Sequence, residues 1–396
     1  MSTEKSIYTN DSRNVGIDYS DPDGVIHDHS MRSRRSSEPH IENLMTNRRG
    51  CTVHKKYIPS PYELYHIELA KKIDAITDFE QRLSTLLSHV TSEISIKNAT
   101  LWLNRVNYHM NNIETVESNI DYQFLSRFEV QKVCGQDSKF EEVTVWNEWI
   151  EPITITARHP FGFGNCRNTQ THFTKGIPRA NRANVNYVLL QSGKALHNYT
   201  TGNSMRNRPM HMNRRVDHQN RKEKHFMLDA GTSTFDSSLF WFTCGYSQRK
   251  IAFDQVYAWE KTLLEPTDYW SRVPPKWKPF WHFYNVPISS DPLHPDSPLR
   301  FIEAIATPHD FVSFKLDIDH PDTEMPIALA LLNNPKYTNL IDEFFFELHF
   351  QCEVMTSCGW GKQVPATSHG LKLDRSHVLD YFYSLRAKGI RAHIWP

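Results

Sequence analysis

The stretch "HFMLDAGTSTFDSSLFWF", His225 to Phe242, decides the fold. Its first six residues are apolar enough for a buried strand. A short polar turn follows at Gly231, and an aromatic-rich helix starts at Ser237 or Ser238. Gly231 lets the chain turn tightly and lets a ligand approach the backbone. The start of the helix, with free N–H groups and a positive dipole end, favours an acidic or oxygen-rich ligand. The turn holds one glycine, and the GxGxxG of a nicotinamide-binding turn is absent.

Downstream, the alternation continues. "FDQVYAWE", "WHFYNVPIS", "FVSFKLDID", "DEFFFELHF" and "IRAHIWP" read as strands. "SPLRFIEAIA", "MPIALALLNNPKYTNL" and "RSHVLDYFYSLRAKG" read as helices. Short apolar strands separated by helices pair in parallel, which gives a doubly wound, mostly parallel, Rossmann-like α/β sheet over residues 225–396. Upstream lies a helical and β-rich extension. Residues 1–58 are polar and charged and read as a disordered arm. Residues 59–118 read as one long amphipathic helical segment, because Ile76, Phe79, Leu83, Leu86 and Val90 recur at spacings of three and four. Packing on the chain's own core and weak self-association through residues 62–94 both fit that pattern. Residues 119–200 are irregular and β-rich, and 201–224 form a basic linker.

In a doubly wound sheet, ligands bind beyond the carboxyl ends of the strands. The polar residues at those ends are therefore the informative ones. They are Asp229 and Gly231 after the first strand, Glu260 after the second and Asn285 after the third. Asp317 and Asp319 end the fourth strand, and Glu347 and His349 the fifth. A carboxylate at the tip of strand two is placed to accept hydrogen bonds from both ribose hydroxyls, so Glu260 and the Gly231 turn together outline a cofactor cleft. Helix capping is the structural alternative for such acids. Five aromatics in "TDYWSRVPPKWKPFW" (Thr267–Trp281) suit either a stacked substrate ring or a stiffened loop.

Composition excludes several classes. Lys plus Arg and Asp plus Glu both number 45, so a whole-chain attraction to nucleic acid or to an anionic membrane has no support. Six cysteines without a CxxC pair fit neither a disulfide scaffold nor a zinc finger. No window approaches a membrane span, and the N-terminus has no apolar leader core, so a cytoplasmic location is expected. There is neither a P-loop GxxxxGK[ST] nor a GxSxG elbow.

The quoted turn, the "FDQVYAWE" strand ending in Glu260, "FVSFKLDID" and "FFFELHF" together resemble the FkbM-type class I S-adenosylmethionine-dependent methyltransferases. The preceding "EWIEPITITARHPFGFG" is similar to extensions on methyltransferase-like proteins of algae and water moulds. The resemblance implies S-adenosylmethionine as cofactor, with Asp229 and Gly231 towards its methionine end, Glu260 on the ribose and Asn285 and Pro287 near the adenine; Ser237, at the start of the helix, is a further cofactor-binding candidate. The resemblance also implies Asp317 facing the methyl group, and O-methylation of a carbohydrate or small-molecule hydroxyl. The base would be Asp317, Asp319 or His349. The alternative is a metal held by those same three residues. A methyltransferase-like scaffold without catalysis and another nucleotide-dependent transferase are the competing functions.

Overall fold

The structure is a computed structural model. It describes residues 45–46, 51–91, 125–134, 142–153, 223–235, 238–248, 251–351 and 364–395. The stretch expected as a basic linker up to residue 222, Ser237, and the 92–118 part of the expected helical segment lie outside them.

Two sheets are present among these residues, besides a two-stranded ribbon. The first is antiparallel, in the order β1 (Met45–Thr46), β2 (Cys51–Ile58), β3 (Ser126–Cys134), β4 (Glu142–Ile150). Cys51–Ile58 is thus a full strand and not the end of a disordered arm; every residue from Cys51 to Ile58 has a partner on β3. The expected long amphipathic helix is two helices, α1 (Pro61–Asp74) and α2 (Phe79–Thr91). Ser60 caps α1 by accepting from the Glu63 amide, with Pro61 preset at the first helical position. Asp78 opens α2 by accepting from the Gln81 amide at 2.6 Å, so the chain stops and restarts across Ala75–Asp78. The inner faces of both helices join the main core through Ile67, Ala70, Ile73 and Leu86.

The second sheet has six strands, all parallel. They are β5 (His225–Ala230), β6 (Gln255–Trp259), β7 (Trp281–Tyr284), β8 (Phe311–Leu316), β9 (Glu343–Phe346) and β12 (Arg391–Ile394). Their order is β12-β9-β8-β5-β6-β7, the doubly wound Rossmann order, with the switch point between β5 and β8. The helices between them are α3 (Ser238–Gln248), α4 (Pro266–Arg272), α5 (Pro298–Ile305), α6 (Pro321–Asn333), α7 (Pro335–Thr338) and α8 (Arg375–Ala387). The ribbon pairs β10 (Thr367–Ser368) with β11 (Leu371–Lys372). Alternation divides the strands' side chains between two cores. Phe226, Leu228, Val312, Phe314, Phe344 and Phe346 face one. Met227, Val256, Phe311, Phe345 and Trp395 face the other, which α3 completes with Leu239, Phe242 and Tyr246. No helix among the described residues is long and apolar enough to cross a membrane.

At the entry to β9, Asp342 accepts the Val312 amide at 2.9 Å, while its own carbonyl accepts the Arg391 amide. Burial pushes its carboxyl up to about 6. The folded state therefore prefers the protonated acid, and that stability is lost as pH rises from the unfolded value towards 6. Asp342→Asn keeps an acceptor for Val312 without the charge. It should gain about 1–2 kcal/mol at pH 8 and nothing at pH 3.5, read from urea midpoints.

Candidate functional site

Asp229 and Lys315 are cross-strand neighbours in the β5–β8 register and point to the same side of the sheet. Both are buried, and the ammonium lies 3.1 Å from Asp229 Oδ1 and 2.9 Å from Asp317 Oδ2. Its third contact is the Gly231 carbonyl at 3.2 Å. The other Asp229 oxygen accepts Ser238 Oγ–H at 2.6 Å. Burial raises the Asp229 carboxyl above its ordinary value, against the pull of Lys315 and Ser238. Burial also pulls Lys315 down, but Asp229 and Asp317 outweigh it and hold the ammonium charged. Asp317 sits lower than usual: burial opposes this, but Lys315 and hydrogen bonds from Glu347 and Trp395 prevail. The Trp395 indole donates to Asp317 Oδ2 at 3.1 Å.

Gly231 has φ +91°, and a Cβ there would lie 1.5 Å from the Asp317 carbonyl oxygen. What approaches this glycine is therefore the chain's own backbone at the end of β8. The Gly231 and Thr232 amides both donate to the Trp259 carbonyl, at 3.0 and 3.1 Å. The Ser233 amide donates to Glu260 Oε2 at 3.1 Å, and the Thr262 amide to Oε1 at 2.6 Å. The Glu260 carboxylate thus ties the β5 turn to its own loop, half-exposed at the tip of β6. Asn285 fastens the same loop from the end of β7. Its amide donates to the Glu260 and Thr262 carbonyls, both at 2.7 Å, and its carbonyl accepts the Leu264 amide at 2.8 Å.

No family model, no curated protein and no solved structure matches the chain.

Beyond Asp317 the rim continues with Asp319, Glu347 and His349. His349 Nε2 lies 3.7 Å from Asp319 Oδ1 and 3.8 Å from Glu347 Oε1. The Asp319 side chain is 68% exposed and its φ is +54°, whereas Glu347 is buried. Glu324 fixes the intervening loop by accepting the Ile318 amide at 2.8 Å. The sequence-derived residues thus fall into three linked groups. Asp229, Gly231 and Asp317 meet around Lys315, Glu260 meets Asn285, and Asp319 meets His349. Glu347 completes the last group, two residues before His349 in the segment that follows β9. Trp395 had no sequence signal, since its role depends on β12 lying next to β9. Two of the five aromatics in the Thr267–Trp281 stretch are core: Tyr269 is buried, stacks 3.7 Å from Phe283 and accepts the indole N–H of buried Trp281 at 2.8 Å, whereas Trp270 and Trp277 are partly buried and Phe280 is exposed.

Proposed function

We propose that this protein is an S-adenosylmethionine-dependent methyltransferase that modifies a hydroxyl oxygen of a carbohydrate or small molecule. The observation that carries the reading is the Glu260 carboxylate, half-exposed at the tip of β6 and tied to the turn after β5. Each of its oxygens accepts one backbone N–H and keeps capacity for another donor, which suits a ribose diol. Glu260 would hold the ribose, and the Gly231–Thr234 turn would lie against the methionine end. When bound, the cofactor supplies a methyl carbon whose bond to a sulfonium breaks towards sulfur as an acceptor oxygen lone pair attacks. The chain's part is to hold the acceptor in line and to take its proton on the rim formed by Asp319, Glu347 and His349. Asp317 is committed to Lys315 and Trp395, so it acts as a fixed negative charge beside the reacting centre rather than as the base.

A binding module without turnover is the second reading, and one observation favours it. The Gly231, Thr232 and Ser233 amides all donate within the fold, to Trp259 and Glu260, so these three are not offered to a ligand carboxylate. Calorimetry separates the readings. Wild type should bind S-adenosylmethionine and S-adenosylhomocysteine in the micromolar range, and Glu260→Ala should bind about 100-fold more weakly, with circular dichroism confirming its fold. Binding of NAD or a sugar nucleotide but of neither sulfur ligand would overturn the proposal. Binding with no methylation across a panel of hydroxyl acceptors would select the second reading.

A further inference from the structure

We infer that Cys51 and Cys134 form a reversible disulfide that staples β2 to β3, a covalent modification site in the antiparallel sheet. The two residues are register partners at the end of the β2–β3 ladder. Directly opposed residues of antiparallel strands have Cα atoms about 4.5–5.5 Å apart, inside the span of roughly 4.4–6.8 Å that a disulfide bridges. In such pairs the Cβ atoms share one face at about 4.5–5.5 Å. Closing to the ~3.5–4.5 Å of a disulfide takes a small adjustment, which the end of a ladder permits.

The register that opposes the two cysteines is fixed by packing further along the same ladder. An unbroken run of pairs goes from Cys51 opposite Cys134 to Ile58 opposite Arg127. Within it Tyr57 opposes Phe128, both buried, with ring centroids 5.1 Å apart. These two residues, Val130 and Ile150 form one buried cluster. A slip of one residue would turn a strand's buried set to the opposite face, so the buried end of the ladder holds the cysteine end in place. On its other side Cys134 pairs with Glu142 of β4, which holds β3 at the same level. Sequence spacing could not show this pairing, because all of α1 and α2 lies between the two cysteines.

The oxidant is a low-molecular-weight disulfide, with glutathione disulfide as the probe. One protein thiolate attacks a glutathione sulfur, the sulfur–sulfur bond breaks, one glutathione leaves and a mixed disulfide remains. The second protein thiolate attacks the protein sulfur of that mixed disulfide and expels the second glutathione. Two protein thiols are thus oxidised and one glutathione disulfide is reduced to two thiols, which take up the two protons released. The bond closes a loop that carries α1 and α2, restricting the unfolded chain more than the folded one.

Full-length wild type, incubated with glutathione disulfide and quenched with N-ethylmaleimide, should yield on proteolysis a cross-linked peptide pair joining Cys51 to Cys134. Its urea midpoint should rise above that of the reduced protein and return with dithiothreitol. Cys51→Ser and Cys134→Ser should show no rise, while Cys244→Ser, changed on α3, should behave as wild type. Circular dichroism of the reduced variants checks their fold, and the cross-link map needs wild type alone. Absence of the Cys51–Cys134 peptide pair, either residue joined to a different cysteine instead, or a wild-type midpoint that oxidation leaves in place overturns the inference.

Discussion

Gly231→Ala should destabilise the protein by about 3–5 kcal/mol, read as a shift of the urea midpoint at neutral pH. Two effects add. A left-handed backbone costs alanine about 1–2 kcal/mol, and a side chain forced into a packed site costs about 1–3 kcal/mol or more. Here the obstacle is the Asp317 carbonyl, 1.5 Å from where the Cβ would stand. It cannot move away cheaply, because the Asp317 amide is itself bonded to the Ala230 carbonyl at 3.0 Å. Gly370→Ala supplies the control: its φ is +86°, but nothing lies within 4 Å of its Cβ position. That variant should lose only the backbone term, and the difference between the two isolates the clash. Equal losses would mean that the β5 and β8 ends do not approach as described. The experiment also reassigns the glycine. In the sequence it reads as an opening for a ligand, whereas in the fold it is where two parallel strands close on each other.

The α/β half was legible because its signals are local. Apolar runs of four to six residues, each followed by a turn and a helix, fix parallel pairing without knowledge of any contact. The candidate site was legible for a related reason. In a doubly wound sheet the strand ends share one rim, so polar residues at those ends gather whatever their sequence separation. What the sequence withheld depends on register and on partners. Lys315 lies two residues before Asp317 and shares its face, but its pairing with Asp229 requires β5 beside β8. The α1–α2 break was hidden because Ile76, Phe79, Leu83 and Leu86 keep spacings of three and four from within the break into α2, while the cap at Asp78 is a single hydrogen bond. Strand β2 was missed because half of its eight residues are polar or charged ("CTVHKKYI") and only Tyr57 among its described side chains is buried. Its apolar partners sit on β3, more than 60 residues away.

The join between the extension and the α/β sheet leads to the second large effect: Arg386→Met should cost about 3–5 kcal/mol. Arg386, buried on α8, donates Nε–H to the Ala392 carbonyl at 2.9 Å. Nη1 reaches the Tyr57 hydroxyl at 2.9 Å, Glu63 Oε2 at 3.3 Å and the Glu151 carbonyl at 2.7 Å, while Nη2 reaches Glu151 Oε1 at 3.2 Å. One side chain thus joins β2, α1, the segment just after β4 and β12 itself, which needs the several donors of a guanidinium. Methionine restores the volume but leaves the Glu63 and Glu151 carboxylates buried without it. Burial already raises the Glu63 carboxyl above its ordinary value, with Arg386 the largest opposing influence, so the variant should raise it further. The folded state of the variant would then hold a proton that the unfolded chain releases. Its deficit should be full above the raised folded pKa and shrink as pH falls towards the unfolded value. Urea midpoints at pH 8 and pH 5 should show that narrowing, and adding Glu63→Gln should recover about 1–2 kcal/mol at pH 8. A loss under about 1 kcal/mol, the same at both pH values, would mean that water reaches the network. The extension would then be docked on the sheet rather than built into it, and its removal should leave a folded α/β domain.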